Sequence, residues 1–97
     1  MYATLRTYEM ASDWDDELVK HLNDGFVGQV AQLPGFVAYY SLEAGARVFA
    51  SVTIFDGRDG VEASNRLAAE YVQRRLLDRF PTPPEITAGE VRAHRVA

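Results

Sequence analysis

The chain has 97 residues, 47% of them apolar and 25% charged, which is the balance of an ordinary globular protein with enough chain for one core. It contains no cysteine, which excludes a disulfide framework, a thiolate metal site and a cysteine nucleophile. Ten basic residues against fourteen acidic ones give a net charge of −4 with no Lys/Arg block, so neither nucleic acid nor a membrane surface is an expected partner.

Met1 is followed by Tyr2-Ala3-Thr4-Leu5-Arg6 rather than by the basic start and apolar run of a secretion signal. No uncharged stretch approaches the roughly 20 residues of a membrane span, so the expected location is the cytoplasm. Tyr2 to Glu9, rich in Thr, Tyr and Leu, predicts a first strand. Ala11-Ser12-Asp13 offers a helix start, with Asp13, Asp15, Asp16 and Glu17 where the positive end of the helix dipole favours carboxylates. Trp14, Leu18, His21/Leu22, Phe26, Val30 and Leu33 then recur at helical spacing, and Pro34-Gly35 stops the helix. Gly25 and Gly28 each cost about 1 kcal/mol relative to Ala inside it, which marks Asn23-Asp24-Gly25 as the place for a bend or break.

Phe36 to Leu42 and Val48 to Phe55 are β-branched and aromatic runs joined by Glu43-Ala44-Gly45-Ala46-Arg47, a hairpin. Asp56 and Asp59 are the candidate caps of a second helix, whose stripe runs through Val61, Asn65/Ala68, Val72, Leu76 and Phe80. Pro81-Thr82-Pro83-Pro84 ends it, and Ile86 to Val96 reads as a last strand. The order β-α-β-β-α-β is that of a ferredoxin-like α+β fold, a four-stranded antiparallel sheet with two helices on one face, in a single domain over residues 1–97. Such a sheet usually turns a polar face to water. Here Val48, Ala50, Val52 and Ile54 oppose Phe49, Ser51, Thr53 and Phe55, while Val37 and Tyr39 oppose Phe36, Ala38, Tyr40 and Leu42. Both faces are apolar. Leaving one of them wet forfeits about 1.5–3 kcal/mol per large side chain, so the expected partner is a second copy packed through the sheet face, a homodimer.

The segments Leu33-Pro34-Gly35-Phe36-Val37-Ala38-Tyr39-Tyr40, Ser51-Val52-Thr53-Ile54-Phe55-Asp56 and Ala63-Ser64-Asn65-Arg66-Leu67-Ala68-Ala69-Glu70-Tyr71 resemble the antibiotic biosynthesis monooxygenase (ABM) family, the dimeric α+β barrels. The likeness spans nearly the whole chain. It implies a pocket between helices and sheet within each subunit and one of two activities, cofactor-free oxygenation of phenolic or anthrone-like polyketides, or haem degradation. The haem-degrading relatives use an Asn on the first strand, a Trp near the third strand or second helix and a His on the second helix. This sequence has none of the three, because its Trp14 opens the first helix and its histidines are His21 and His94.

Cofactor-free oxygenation needs a dry cavity and groups that stabilise a substrate anion. The resemblance implies Asn, Tyr, Trp and Arg side chains for this, with no metal, flavin or other cofactor. The candidates for catalysis are Asn65, which interrupts the apolar stripe of the second helix, Tyr71 on the same helix, and His21, whose ordinary pKa of about 6.5 suits a general base. The candidates for binding a small aromatic ligand are Arg6, Tyr8, Tyr40, Ser64 and Trp14, with Tyr39 as a further stacking surface. Each also has a structural reading. Asn65 can bond the sheet or a second subunit, Arg6 can pair with Glu90 or another carboxylate, and Trp14 can simply pack the first helix down. The functional alternatives are therefore a cofactor-independent monooxygenase acting on a small aromatic or polyketide-like molecule, and a non-catalytic binding or assembly module on the same fold. A Lys-Ser/Thr phosphate loop and a GxSxG elbow are both missing.

Overall fold

In the first strand every second residue from Thr4 through Arg6 and Tyr8 to Met10 is buried, while Leu5, Thr7 and Glu9 are exposed. That alternation fixes which side of the sheet meets the helices. The computed structural model describes residues 1–97. Four strands, β1 (Tyr2–Glu9), β2 (Phe36–Gly45), β3 (Val48–Phe55) and β4 (Glu85–Glu90), form one antiparallel sheet in the order β2-β3-β1-β4. Two helical rods cover its inner face. The first runs through α1 (Asp16–His21), a π-helical turn (Leu22–Phe26) and α2 (Val27–Ala31); the second through α3 (Arg58–Tyr71) and another π-helical turn (Val72–Leu76). The fold is thus the ferredoxin-like α+β arrangement expected from the element order. No helix is long and apolar enough to cross a membrane.

The boundaries differ from expectation where backbone partners decide them. The first helix starts at Asp16, not near Ala11, because the N–H groups of Met10, Ala11 and Trp14 bond the carbonyls of Arg47, Arg79 and Ala46, which tethers this segment to the hairpin loop and the end of the second rod before the chain turns into a helix. Asp15 is the cap, its carboxylate accepting from the Leu18 N–H at 2.8 Å. The second helix is capped by Gly57 without a side-chain bond, so neither Asp56 nor Asp59 does this work. The Asp56 N–H instead bonds the carbonyl of Gly35, whose φ of +81° needs glycine to turn the chain from the first rod into β2. The last strand ends at Glu90 rather than Val96 because its partner β1 runs out at Tyr2, and Val91 makes one final bond to the Met1 carbonyl.

A bulge also changes the facing of β2. Phe36 pairs with Phe55 but Ala38 pairs with Ile54, so Val37 is an extra residue in the ladder. Phe36 therefore joins Tyr39 on the helix side, its ring edge-on to Phe55 at 5.8 Å, instead of sharing a face with Ala38, Tyr40 and Leu42. The outer face carries aligned apolar rows. Tyr40, Val52 and Leu5 lie side by side across three strands, flanked by Ala38, Ile54 and Ala3 and by Leu42 and Ala50. Leu5, Tyr40 and Leu42 are 46%, 60% and 50% exposed there.

Of the bend or break expected near Asn23-Asp24-Gly25, the structure shows a break in helical spacing, the π-helical turn Leu22–Phe26. Gly25 is there for space. A β-carbon on it would collide with the Tyr71 hydroxyl, which reaches across from α3. Gly25→Ala gains about 1 kcal/mol of helix propensity, but overpacking costs typically 1–3 kcal/mol. We expect a lower urea midpoint for Gly25→Ala and a recovery in Gly25→Ala/Tyr71→Phe, which deletes the colliding atom. A Gly25→Ala protein as stable as the wild type would show that Tyr71 is free to move.

Candidate functional site

Three consecutive inward-facing positions on each of β1 and β3 pair across the sheet as Thr4–Thr53, Arg6–Ser51 and Tyr8–Phe49, placing a cation and three aliphatic hydroxyl groups in a row that ends in two rings. Above them, between sheet and rods, lies a narrow cavity of about 20 Å³, room for a single water molecule. Its floor is Arg6, Tyr8, Phe49 and Ser51, with Tyr39 from β2 at one side. Its roof comes from the two π-helical turns, Leu22 and Phe26 from one and Val72 and Leu76 from the other, with Ala68, Tyr71 and Phe80 beside them. Such turns break the regular spacing of a helix and are frequent at functional sites.

Arg6 is 2% exposed. Its two terminal nitrogens donate to Asn65 Oδ1 at 2.9 Å and to Thr53 Oγ1 at 3.0 Å, and its guanidinium lies 5.8 Å from the centre of the Phe26 ring. No carboxylate pairs with it, so the alternative of a cross-strand pair with Glu90 or another carboxylate is not realised. Burial pulls the Arg6 pKa below its ordinary value, against the opposing influence of Tyr8 and Tyr39. Burial pushes the Tyr8 hydroxyl up and lifts Tyr39 to about 12, so both phenols remain neutral near pH 7 and supply no counter-charge. Ser51 Oγ, 1% exposed and directly opposite Arg6, has no hydrogen-bond partner. The cavity therefore holds one uncompensated cation and one unused hydroxyl in apolar surroundings.

Of the expected residues, Arg6, Tyr8, Tyr39 and Tyr71 line this space. Asn65 does not. Its oxygen accepts from Thr4 Oγ1 at 3.0 Å and from Arg6, so it holds the guanidinium from the flank and borders a separate polar groove with Tyr2, Arg58, Glu62 and Glu90. Arg6 has no acceptor, which fixes the amide orientation with oxygen inward. His21 lies off the cavity, its Nε2 in a long 3.4 Å contact with the Tyr71 hydroxyl and its ring in a surface cleft with Glu17 and Arg75. Tyr40 stands on the outer sheet face, Ser64 donates to the Val61 carbonyl within its own helix at 2.8 Å, and Trp14 stacks on Phe49 while donating to the Val48 carbonyl. Ser51 escaped the sequence reading, although a lone serine between Phe49 and Phe55 on the inward side of β3 was the signal for it. No group of three or more His, Asp or Glu side chains converges as a metal site would require.

No family model and no curated protein sequence matches the chain. Solved structures do. A protein of unknown function from Nitrosomonas europaea, NE2512, is 19% identical over 99% of this chain and 93% of its own, with a TM-score of 0.77. A monooxygenase from the gene ActVA-Orf6 of Streptomyces coelicolor, solved in complex with nanaomycin D, is 13% identical over 99% and 91%, with a TM-score of 0.73. SnoaB, a cofactor-independent oxygenase from Streptomyces nogalater, is 10% identical over 96% and 94%, with a TM-score of 0.70. At these identities the likeness establishes a fold shared with these structures.

The Asn65 contact has a measurable consequence. Asn65→Ala leaves the buried Arg6 donor and the Thr4 hydroxyl without their acceptor, at a cost of about 2 kcal/mol, seen as a lower urea midpoint. A midpoint within a few tenths of a kcal/mol of the wild type, by the same principle, would show that water replaces the amide.

Proposed function

We propose that this protein is a cofactor-independent monooxygenase of the ABM type, acting as a homodimer on a small aromatic or polyketide-like substrate held between helices and sheet. The observation that carries the reading is the ring-walled cavity under the two π-helical turns, in the fold shared with two oxygenases. The chemistry asks little of the protein. An anthrone-type CH₂ carbon loses a proton to give an enolate, and the electron-rich anion reduces dioxygen. The carbon ends as a carbonyl, and the second oxygen atom leaves as water with the two hydrogens. Four electrons pass from carbon to dioxygen, so no external reductant enters. Tyr8, Phe26, Tyr39 and Tyr71 supply stacking surface and keep water out, and Arg6 balances the developing charge. Admission of a ring requires the cavity to widen, for which the π-helical turns are the natural hinge.

The second reading is a binding or assembly module without catalysis. It is favoured by the absence of any His, Asp or Glu from the cavity wall and by the commitment of Asn65 to Arg6 and Thr4. Oxygen uptake with a panel of anthrones and hydroquinones separates the two. The monooxygenase reading expects uptake that falls at least tenfold in Arg6→Met and Asn65→Ala. Binding of the same compounds without uptake selects the module.

The homodimer rests on the outer sheet face. Burying the half-exposed Leu5, Tyr40 and Leu42, with the partly covered Val52 and Ile54, against a second copy recovers up to about half of the 1.5–3 kcal/mol that full burial of a large apolar side chain gives. Sedimentation is expected to show a dimer for the wild type and a folded monomer for Val52→Glu, which places a charge at the middle of that face. A wild-type protein that sediments as a folded monomer at micromolar concentration rules the assembly out.

A further inference from the structure

Arg6 is an expensive residue where it stands. A core built for stability alone gains by replacing a buried, uncompensated guanidinium with an apolar side chain of similar volume. Asn65 and Thr53 take only two of its five N–H donors, and both partners are neutral. Every other titratable side chain on the cavity wall is a tyrosine: Tyr8 from β1, Tyr39 from β2 and Tyr71 from α3. No carboxylate faces the guanidinium from the sheet, from either rod or from the segment after the second π-helical turn. Ser51 is the cross-strand neighbour of Arg6, on the same face, with the one buried side-chain oxygen in the chain that lacks a partner. Directly opposed residues on one sheet face have their Cβ atoms about 5 Å apart. Both residues line the same cavity, so one ligand within it meets both side chains.

We propose that the cavity recognises its ligand as an anion, a compact aromatic oxyanion (phenolate, enolate or carboxylate) whose charged oxygen sits between the Arg6 guanidinium and the Ser51 hydroxyl. This rests on the reading that the cavity is the binding site, and adds that charge decides what binds there. The ligand supplies the counter-ion that the fold withholds, and Ser51 donates the hydrogen bond that it cannot make in the empty protein. Thr53, Asn65 and Thr4 are positioning residues, since Thr53 and Asn65 hold the guanidinium, Thr4 holds Asn65, and none of the three lines the cavity. Neutral aromatics of the same shape are disfavoured, because they leave the cation buried and unpaired.

The test uses the full chain with two single-ring probes. The first is 4-nitrophenol, whose ionisation is visible in its absorbance, and the second is neutral benzyl alcohol. Trp14 stacks on the cavity-lining Phe49 at 5.1 Å, so its fluorescence reports occupancy by either probe. An anion seat makes bound 4-nitrophenol ionise at a pH at least one unit lower than in buffer, a tenfold preference for phenolate. An apolar cavity without such a seat shifts the ionisation upward. Arg6→Met is expected to reverse the shift. Should that protein fail to fold, two milder changes carry the test. Asn65→Asp keeps Arg6 but gives it a carboxylate, and should erase the preference. Ser51→Ala removes an unpaired hydroxyl at little cost to folding and should weaken phenolate binding about tenfold while leaving benzyl alcohol unchanged. An upward shift in the wild type, or a downward shift that survives both Asn65→Asp and Ser51→Ala, overturns the proposal. Benzyl alcohol bound more tightly than 4-nitrophenolate overturns the anion seat alone. Failure of both probes to bind overturns the cavity reading and the anion seat with it.

Discussion

A guanidinium with no carboxylate, enclosed between a β-sheet and two helical rods, is the constraint around which the interior is organised. A charge in an apolar interior persists only if polar groups hold it, and the chain spreads the charge and its two partners over three different elements. Arg6 projects from β1, Thr53 accepts from β3, and Asn65 accepts from α3. The helix is thereby tied to the centre of the sheet by hydrogen bonds as well as by packing. That tie explains why the apolar stripe of α3 is interrupted by an asparagine and why the inner face of the sheet is lined by hydroxyls as well as rings. It also leaves Ser51 as an unused donor, the feature that turns a structural arrangement into a candidate binding site.

The aromatic side chains do the complementary work. Tyr8, Phe49 and Phe80 meet at 4.8–5.7 Å between ring centres and close one end of the cavity, with Trp14 stacked behind Phe49. Phe26 is edge-on to both Tyr39 and Tyr71 and closes the other end. Rings in these tilted and edge-on arrangements fill volume without flattening against one another, so narrow gaps remain between them. The two π-helical turns stand over those gaps. One of them accommodates the Tyr71 hydroxyl at Gly25, which couples the positions of the two rods. A shift of Tyr71 therefore moves a cavity wall and a helix contact together.

The sheet has two different surfaces made by one alternation. Its inner residues serve the cation and the rings, and its outer residues form apolar rows across β2, β3 and β1. The bulge at Val37 is what allows both Phe36 and Tyr39 to serve the inner side, since strict alternation places only one of them there. The site and the proposed dimer face are thus back to back. Anything that slips the register of β1 by one residue would exchange Arg6 with Leu5 and destroy both.

Much of this was legible in the chain itself. Period-two and helical patterns specified six elements and their order, and the order specified the fold, because few arrangements bury two helical stripes against one sheet. The facing of β3 and the coincidence of Leu18, Leu22, Phe26 and Val30 on one buried side followed from spacing alone. The importance of Asn65 was visible as a polar residue in an apolar stripe, and Arg6 as a charge on an apolar strand. That they bond each other was not, because the pairing spans 59 positions of sequence and depends on how α3 crosses the sheet. Likewise the bulge at Val37, the Asp15 cap and the early end of β4 are set by which backbone groups meet across the fold, and local pattern holds no record of distant partners. The sequence by itself determined the elements, their faces and the apolar surplus, which are local and additive properties. Only the tertiary structure decided which polar groups neutralise one another and which are left over, since hydrogen-bond satisfaction is a property of three-dimensional neighbours.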